Sequence, residues 1–253
     1  MRSLFLILAL LLATTVAAQT SPILIPIFYN GPGAAGSEWL TRVQVTNRGS
    51  VHLEGHGVEF LRRSGCPIPE GCPIGHARRF ELSDIEGPES LGGLLLHPLA
   101  ADADLVEVQG QFGEAHRHAH GIELPIARER DFRTTMFGFP TVITGPGTRT
   151  LLRLYSPDPI AGQRVRIILR PSFLPTTSFA QAYEVTLFVP DGTALPLRPA
   201  FAQFDLSATS AETRLGSPRV EVVPLETNGR TPRIWGFITI TENGTNEVRV
   251  MRP

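Results

Sequence analysis

The sequence predicts an all-β protein made of two tandem antiparallel β-sandwich domains of immunoglobulin-like kind, and three observations carry that expectation. Nearly every patterned stretch alternates apolar and polar residues with period two, the signature of strands half buried in antiparallel sheets. A proline, four further residues and Gly-Pro-Gly occur as Pro26, Gly31, Pro32, Gly33 and again as Pro140, Gly145, Pro146, Gly147. In both copies an apolar run precedes the turn and an alternating strand follows it. The spacing from Gly31 to Gly145 is the length of a domain rather than of a solenoid repeat. The third observation is the lack of amphipathic helical stretches: Ser207 to Leu215 reads as one turn or two at most.

The chain opens on Arg2, an apolar run from Leu4 to Ala13 and the small-residue site Val16-Ala17-Ala18. Residues 1–18 therefore read as a secretory signal peptide cleaved after Ala18. No later apolar run approaches the roughly 20 residues a spanning helix needs. The expected product is an exported bacterial protein, periplasmic or extracellular, with no membrane span. All 23 basic charges are arginine, and the formal net charge is −1. Residues 19–127 hold 7 Arg against 13 acidic side chains and all seven histidines; residues 128–253 hold 15 Arg against 11. An exported chain without net positive charge argues against nucleic acid as a partner.

In the first domain, 19–127, the stretch Trp39 to Asn47 turns Trp39, Val43 and Val45 to one face and Arg42, Gln44 and Thr46 to the other. Val51 to Leu61 continues less cleanly. Cys66 and Cys72 follow in Ser-Gly-Cys-Pro-Ile-Pro-Glu-Gly-Cys-Pro, which in an exported chain reads as a disulfide closing a loop tip. Short strands are expected at Ala77 to Leu82 and Leu94 to Leu96. Leu105 to Phe112 is clearer, with Val106, Val108 and Phe112 inward. His116 to Ile126 closes the domain. The charged, non-periodic run Ala127 to Thr135 marks the junction.

The second domain, 128–253, repeats the plan. Thr150 to Tyr155 corresponds to the Trp39 strand, and Arg164 to Arg170 faces Val165, Ile167 and Leu169 inward. Tyr183 to Val189, Ala202 to Leu206 and Arg219 to Leu225 follow. Asn243-Gly244 is the preferred pair for a two-residue type I′ hairpin, which pairs Thr239 with Val248 and makes the face of Trp235, Phe237, Val248 and Val250 the core face. The ending Ile234-Trp235-Gly236-Phe237-Ile238-Thr239-Ile240-Thr241-Glu242-Asn243-Gly244-Thr245 resembles the last strands of a group of uncharacterised exported bacterial proteins with tandem immunoglobulin-like β-sandwich domains. The Gly-Pro-Gly opening and Val43-Gln44-Val45-Thr46-Asn47 resemble that group too. The resemblance implies a fold and carries over no functional residue.

One constellation has the spacing of metal ligands. His116, His118 and His120 project from one side of an extended strand, where zinc or copper would suit them. A two-residue turn at Glu114-Ala115 would set His118 opposite Gln111, and a bulge at Gly121 would return Ile122 and Leu124 to the core; the histidines then form a solvated face. Gly110, His116, His118 and Glu123 partly match the first metal motif of cupins. Arg130 occupies the place of that motif's last glycine, and the later histidine of the second motif is missing. His97 with Asp102, Asp104 and Glu107 is a weaker acidic cluster, and Arg164, Arg166 and Arg170 form a basic outer face. No nucleophile elbow, phosphate loop or zinc-protease helix occurs.

The expected function is thus that of a non-enzymatic interaction or surface module. Its partner would be a cell-envelope or extracellular protein or glycan, with no cofactor. The alternative is a metal-binding protein or metalloenzyme centred on the three histidines.

Overall fold

The computed structural model describes residues 20–32, 38–47, 53–54, 78–81, 92–98, 100–114, 121–158, 160–171, 180–188, 199–213, 217–245 and 247–253. The architecture is all-β, with four antiparallel sheets. The first half supplies β1 (Ile23–Ile25), β2 (Asn30–Pro32), β3 (Glu38–Asn47), β4 (Leu53–Glu54), β5 (Arg78–Glu81), β6 (Leu94–Pro98), β7 (Val106–Glu114), β8 (Ile122–Glu123) and β9 (Ala127–Arg128). The second supplies β10 (Phe137–Phe139), β11 (Thr148–Ser156), β12 (Arg164–Pro171), β13 (Gln181–Thr186), β14 (Ala200–Asp205), β15 (Pro218–Leu225), β16 (Trp235–Glu242) and β17 (Val248–Met251). The helix α1 (Leu206–Thr213) lies between β14 and β15, with the Asp205 carboxylate accepting from the Ala208 amide at 3.0 Å as its N-cap.

The strand order repeats. In the first half β1 pairs with β6, which pairs with β4, and β5, β3, β7 and β8 are neighbours in that order. In the second half β10 pairs with β15, which pairs with β12, and β14, β11, β16 and β17 are neighbours in that order. The Gly-Pro-Gly repeat in the sequence therefore coincides with a repeat of topology.

Alternation explains the faces of β3, β7 and β12. Val43 and Val45 are buried while Arg42, Gln44 and Thr46 are half exposed, and Val165, Ile167 and Leu169 are all buried. In β7 the inward row is Val106, Val108, Gly110 and Phe112; a Cβ on Gly110 would meet Leu124 at 3.2 Å, so Leu124 fills the space the glycine leaves.

The sheet β14-β11-β16-β17 departs from alternation, because both of its faces are covered. Thr150 to Ser156 and Trp235 to Ile240 are buried throughout. Leu152, Leu154, Ala202, Ile238 and Ile240 belong to one core with β10, β12 and β15. Tyr155, Phe201, Trp235 and Phe237 face the other way and join the core formed by β1, β3, β6 and β7. The Trp235 face is a core face, as expected, and the Ile238 face is a second one.

Two hairpin registers differ from the expected ones. Thr239 pairs with Val250 and Thr241 with Val248, and the Glu242 amide donates to the Glu247 carbonyl, so the connection spans 243–246 instead of Asn243-Gly244 alone. Side-chain parity is preserved because the shift is two residues. After β7, which ends at Glu114, Glu123 of β8 takes the place opposite Gln111 that the two-residue turn assigns to His118. Ile122 pairs with Phe112, and Leu124 is buried, so both lie on the core side.

The junction is built into the sheets. Ala127 and Arg128 pair with Leu24 and Ile23. The Arg128 guanidinium donates to the carbonyls of Ala103 (2.8 Å) and Val106 (2.7 Å). Among the described residues no helix is long and apolar enough to cross a membrane.

Candidate functional site

The strap that leaves β9 builds one wall of a cleft between the two halves. Glu129–Asp131 form a 3-10 turn, held by the Asp131 carboxylate accepting from the Arg128 amide at 2.8 Å. Phe132 is buried in the first core, and Arg133 exchanges two backbone hydrogen bonds of 2.8 Å with Ile234. The apolar anchor at Phe132 thus leaves Arg130 and Arg133, one on each side of it, exposed at the surface.

Farther along, Arg233 clamps the same region. Its guanidinium donates to Asp158 at 2.7 and 2.9 Å and to Glu129 at 3.0 Å, and its amide also donates to Asp158 at 2.8 Å. The Asp158 hydrogen bond, joined by the charges of Asp158 and Glu129, raises the Arg233 pKa further. That arginine is committed to structure.

The cleft has a volume of about 170 Å³ and is lined by Pro125, Ile126, Arg130, Asp131, Arg133, Trp235, Arg252 and Pro253. Trp235 belongs both to this lining and to the aromatic cluster behind it, 6.1 Å from Tyr155 and 5.4 Å from Phe237 between ring centroids. Arg130, Arg133 and Arg252 have no carboxylate partner among the described residues, and the one carboxylate side chain lining the cleft, Asp131, accepts from the Arg128 amide. Elsewhere Arg164 and Arg166 pair with Glu184, Arg170 and Arg219 with Glu221, and Arg249 with Glu247. Chemically the cleft offers guanidinium donors above a partly apolar floor, an arrangement that takes a carboxylate or another oxyanion.

The basic outer face expected at Arg164, Arg166 and Arg170 is present but neutralised. Arg166 lies opposite Glu184 across the β12–β13 ladder and donates to it at 2.8 Å, which lowers the Glu184 pKa. His116, His118 and His120 lie outside the described residues, as do Cys66 and Cys72. In the weaker acidic cluster, His97 is half buried opposite Glu54, Asp104 is exposed and Glu107 accepts from Gln109. Among the described residues no three His, Cys, Asp or Glu side chains are grouped to hold a metal ion. The sequence marks Arg130 and Arg133 as part of a junction and Trp235 as part of a core, and nothing in their spacing brings them together; the unpatterned charge of Ala127 to Thr135 is the one local signal at the cleft.

No family model matches the chain, and no curated protein or solved structure matches it either.

Proposed function

We propose that the protein is an exported, non-catalytic binding module of two tandem β-sandwich domains, and that the cleft between them takes an acidic unit of a cell-envelope glycan. The repeated strand order supports the two domains. Counting the eight strands from β10 to β17, the second lies on the fifth and the third on the sixth, as in an immunoglobulin sandwich. The first lies on the sixth and the seventh on the second, so the relation is one of sandwich architecture with different edges.

The observation that carries the function is the convergence of three arginines: Arg130, Arg133 and Arg252 line one cleft without an ion-pair partner among the described residues, while Arg164, Arg166, Arg170 and Arg219 on β12 and β15 are paired. At about 170 Å³ the cleft is smaller than the roughly 300 Å³ at which pockets for whole small molecules begin. It suits one acid-bearing unit of a longer polymer. Prolines and Ile126 offer apolar surface to a ring, and the guanidinium groups offer paired donors to its carboxylate.

The test is binding of the chain from Gln19 to polygalacturonate and to neutral dextran, compared between wild type and the triple variant Arg130→Gln, Arg133→Gln, Arg252→Gln. Expected is binding to the acidic polymer alone, weakened about tenfold or more in the variant and falling with added salt. Equal binding to dextran, or an unchanged affinity in the variant, would reject the proposal.

A further inference from the structure

We propose that the protein holds a second, separate site for one small inorganic anion, centred on Arg153 in the middle of β11. Arg153 stands on the face of β14-β11-β16-β17 that is turned to the first core, two residues before Tyr155. It is 8% exposed, and both Nε and Nη1 are buried without a hydrogen-bond partner among the described residues. A guanidinium does not shed its proton to escape such a place, so the charge stays and needs a counter-charge.

Among the described residues no carboxylate pairs with it. Phe237 and Gln203 are the cross-strand neighbours of Arg153, and neither is acidic. Asp205, two residues along β14 from Gln203, commits its carboxylate to capping α1. The Tyr155 hydroxyl donates to the Pro26 carbonyl and its oxygen accepts from the Arg153 side chain, a neutral partner that leaves Nε and Nη1 unmet. Arg149, four residues earlier on the same strand, has the same sign and adds to the positive potential. Burial lowers the Arg153 pKa, with Tyr155 pulling the other way. The half-buried Arg233, by contrast, holds two carboxylates. Two neighbouring N–H donors suit a monatomic anion of chloride size, which needs less room in a close-packed interior than an oxyanion does.

The site does not depend on the cleft ligand, and the experiment separates the two. Thermal unfolding is followed for wild type, Arg153→Met and the triple cleft variant as chloride replaces gluconate at constant ionic strength. Gluconate screens equally but is too large to be buried. Expected is a rise in Tm of about 3–6 °C for wild type near tenfold saturation, retained by the triple cleft variant and absent in Arg153→Met. Equal Tm in the two salts, or a shift that survives Arg153→Met, would overturn the proposal. If Arg153→Met does not fold, crystals of the wild type grown in bromide decide: an anomalous peak within hydrogen-bonding reach of Nε or Nη1 supports the site, and a bare guanidinium refutes it.

Discussion

Tyr155 ties the two halves together through both its ring and its hydroxyl. Its ring is buried and stacks on Phe237 at 6.2 Å with 7° between planes, while its hydroxyl donates to the Pro26 carbonyl in the first copy of the repeated motif. Tyr155→Phe would leave that buried carbonyl without its donor, and a loss of about 1–3 kcal/mol is expected in urea unfolding at neutral pH. The variant should also change the response to alkali. Burial raises the Tyr155 pKa, with Arg153 pulling the other way, so the folded chain keeps a proton that the unfolded chain releases near pH 10. Above that pH the unfolded state binds fewer protons than the folded one, and stability falls as pH rises. The prediction is full stability below about pH 10 and a decline above it in wild type, with a flatter curve in Tyr155→Phe. Equal slopes would refute it. Gly236 makes a steric case on the neighbouring strand. A Cβ there would meet the Arg153 carbonyl and a Leu154 methyl, both at 2.7 Å, so Gly236→Ala should cost about 1–3 kcal/mol in the same unfolding assay.

Among the elements, β11 and β16 show what alternation can and cannot reveal. Where one face of a strand meets solvent, as in β3, β7 and β12, period two marks the buried side directly, and the faces were legible from the residues. In β11 and β16 both faces are buried, so Leu151-Leu152-Arg153-Leu154-Tyr155 and Trp235 to Ile240 read as nearly continuous apolar runs. Such a run marks a central strand but does not say which face meets which core. Turn chemistry was less informative: Asn243-Gly244 favours a two-residue hairpin locally, yet the pairing of Met251 with Ile238 requires a longer connection. That register keeps Met251 against the second core and Val250 against the first. The site was the least legible part, since Arg130, Arg133, Trp235 and Arg252 are brought together by topology rather than spacing. The strap that does so can be tested through Arg233. With Arg233 about one-third exposed, its ion pairs with Asp158 and Glu129 are partly screened. Arg233→Ala should lower stability by about 1 kcal/mol and weaken glycan binding by misplacing Arg130. A stability loss with binding unchanged would uncouple strap from cleft.

At the scale of the molecule, the two halves share a sheet face instead of touching through a polar linker. The first core is incomplete without Phe132, Tyr155, Phe201, Trp235 and Phe237, all from beyond residue 127. Domains joined by a flexible connection unfold independently, each with its own transition. Here separation would expose five aromatic rings on one side and Ile23, Leu24 and Ile25 with their neighbours on the other. Aromatic side chains bury roughly 150–250 Å² each, and at about 25 cal/mol per Å² several of them outweigh the few kcal/mol by which domains are ordinarily stable. The chain should therefore unfold in one calorimetric transition with equal calorimetric and van't Hoff enthalpies. A fragment of residues 128–253 alone should bind a hydrophobic dye that the whole chain does not, and Trp235→Ala in the whole chain should lower Tm while keeping the single transition. Two resolved transitions would mean that the shared face contributes little, and that each half closes its own core.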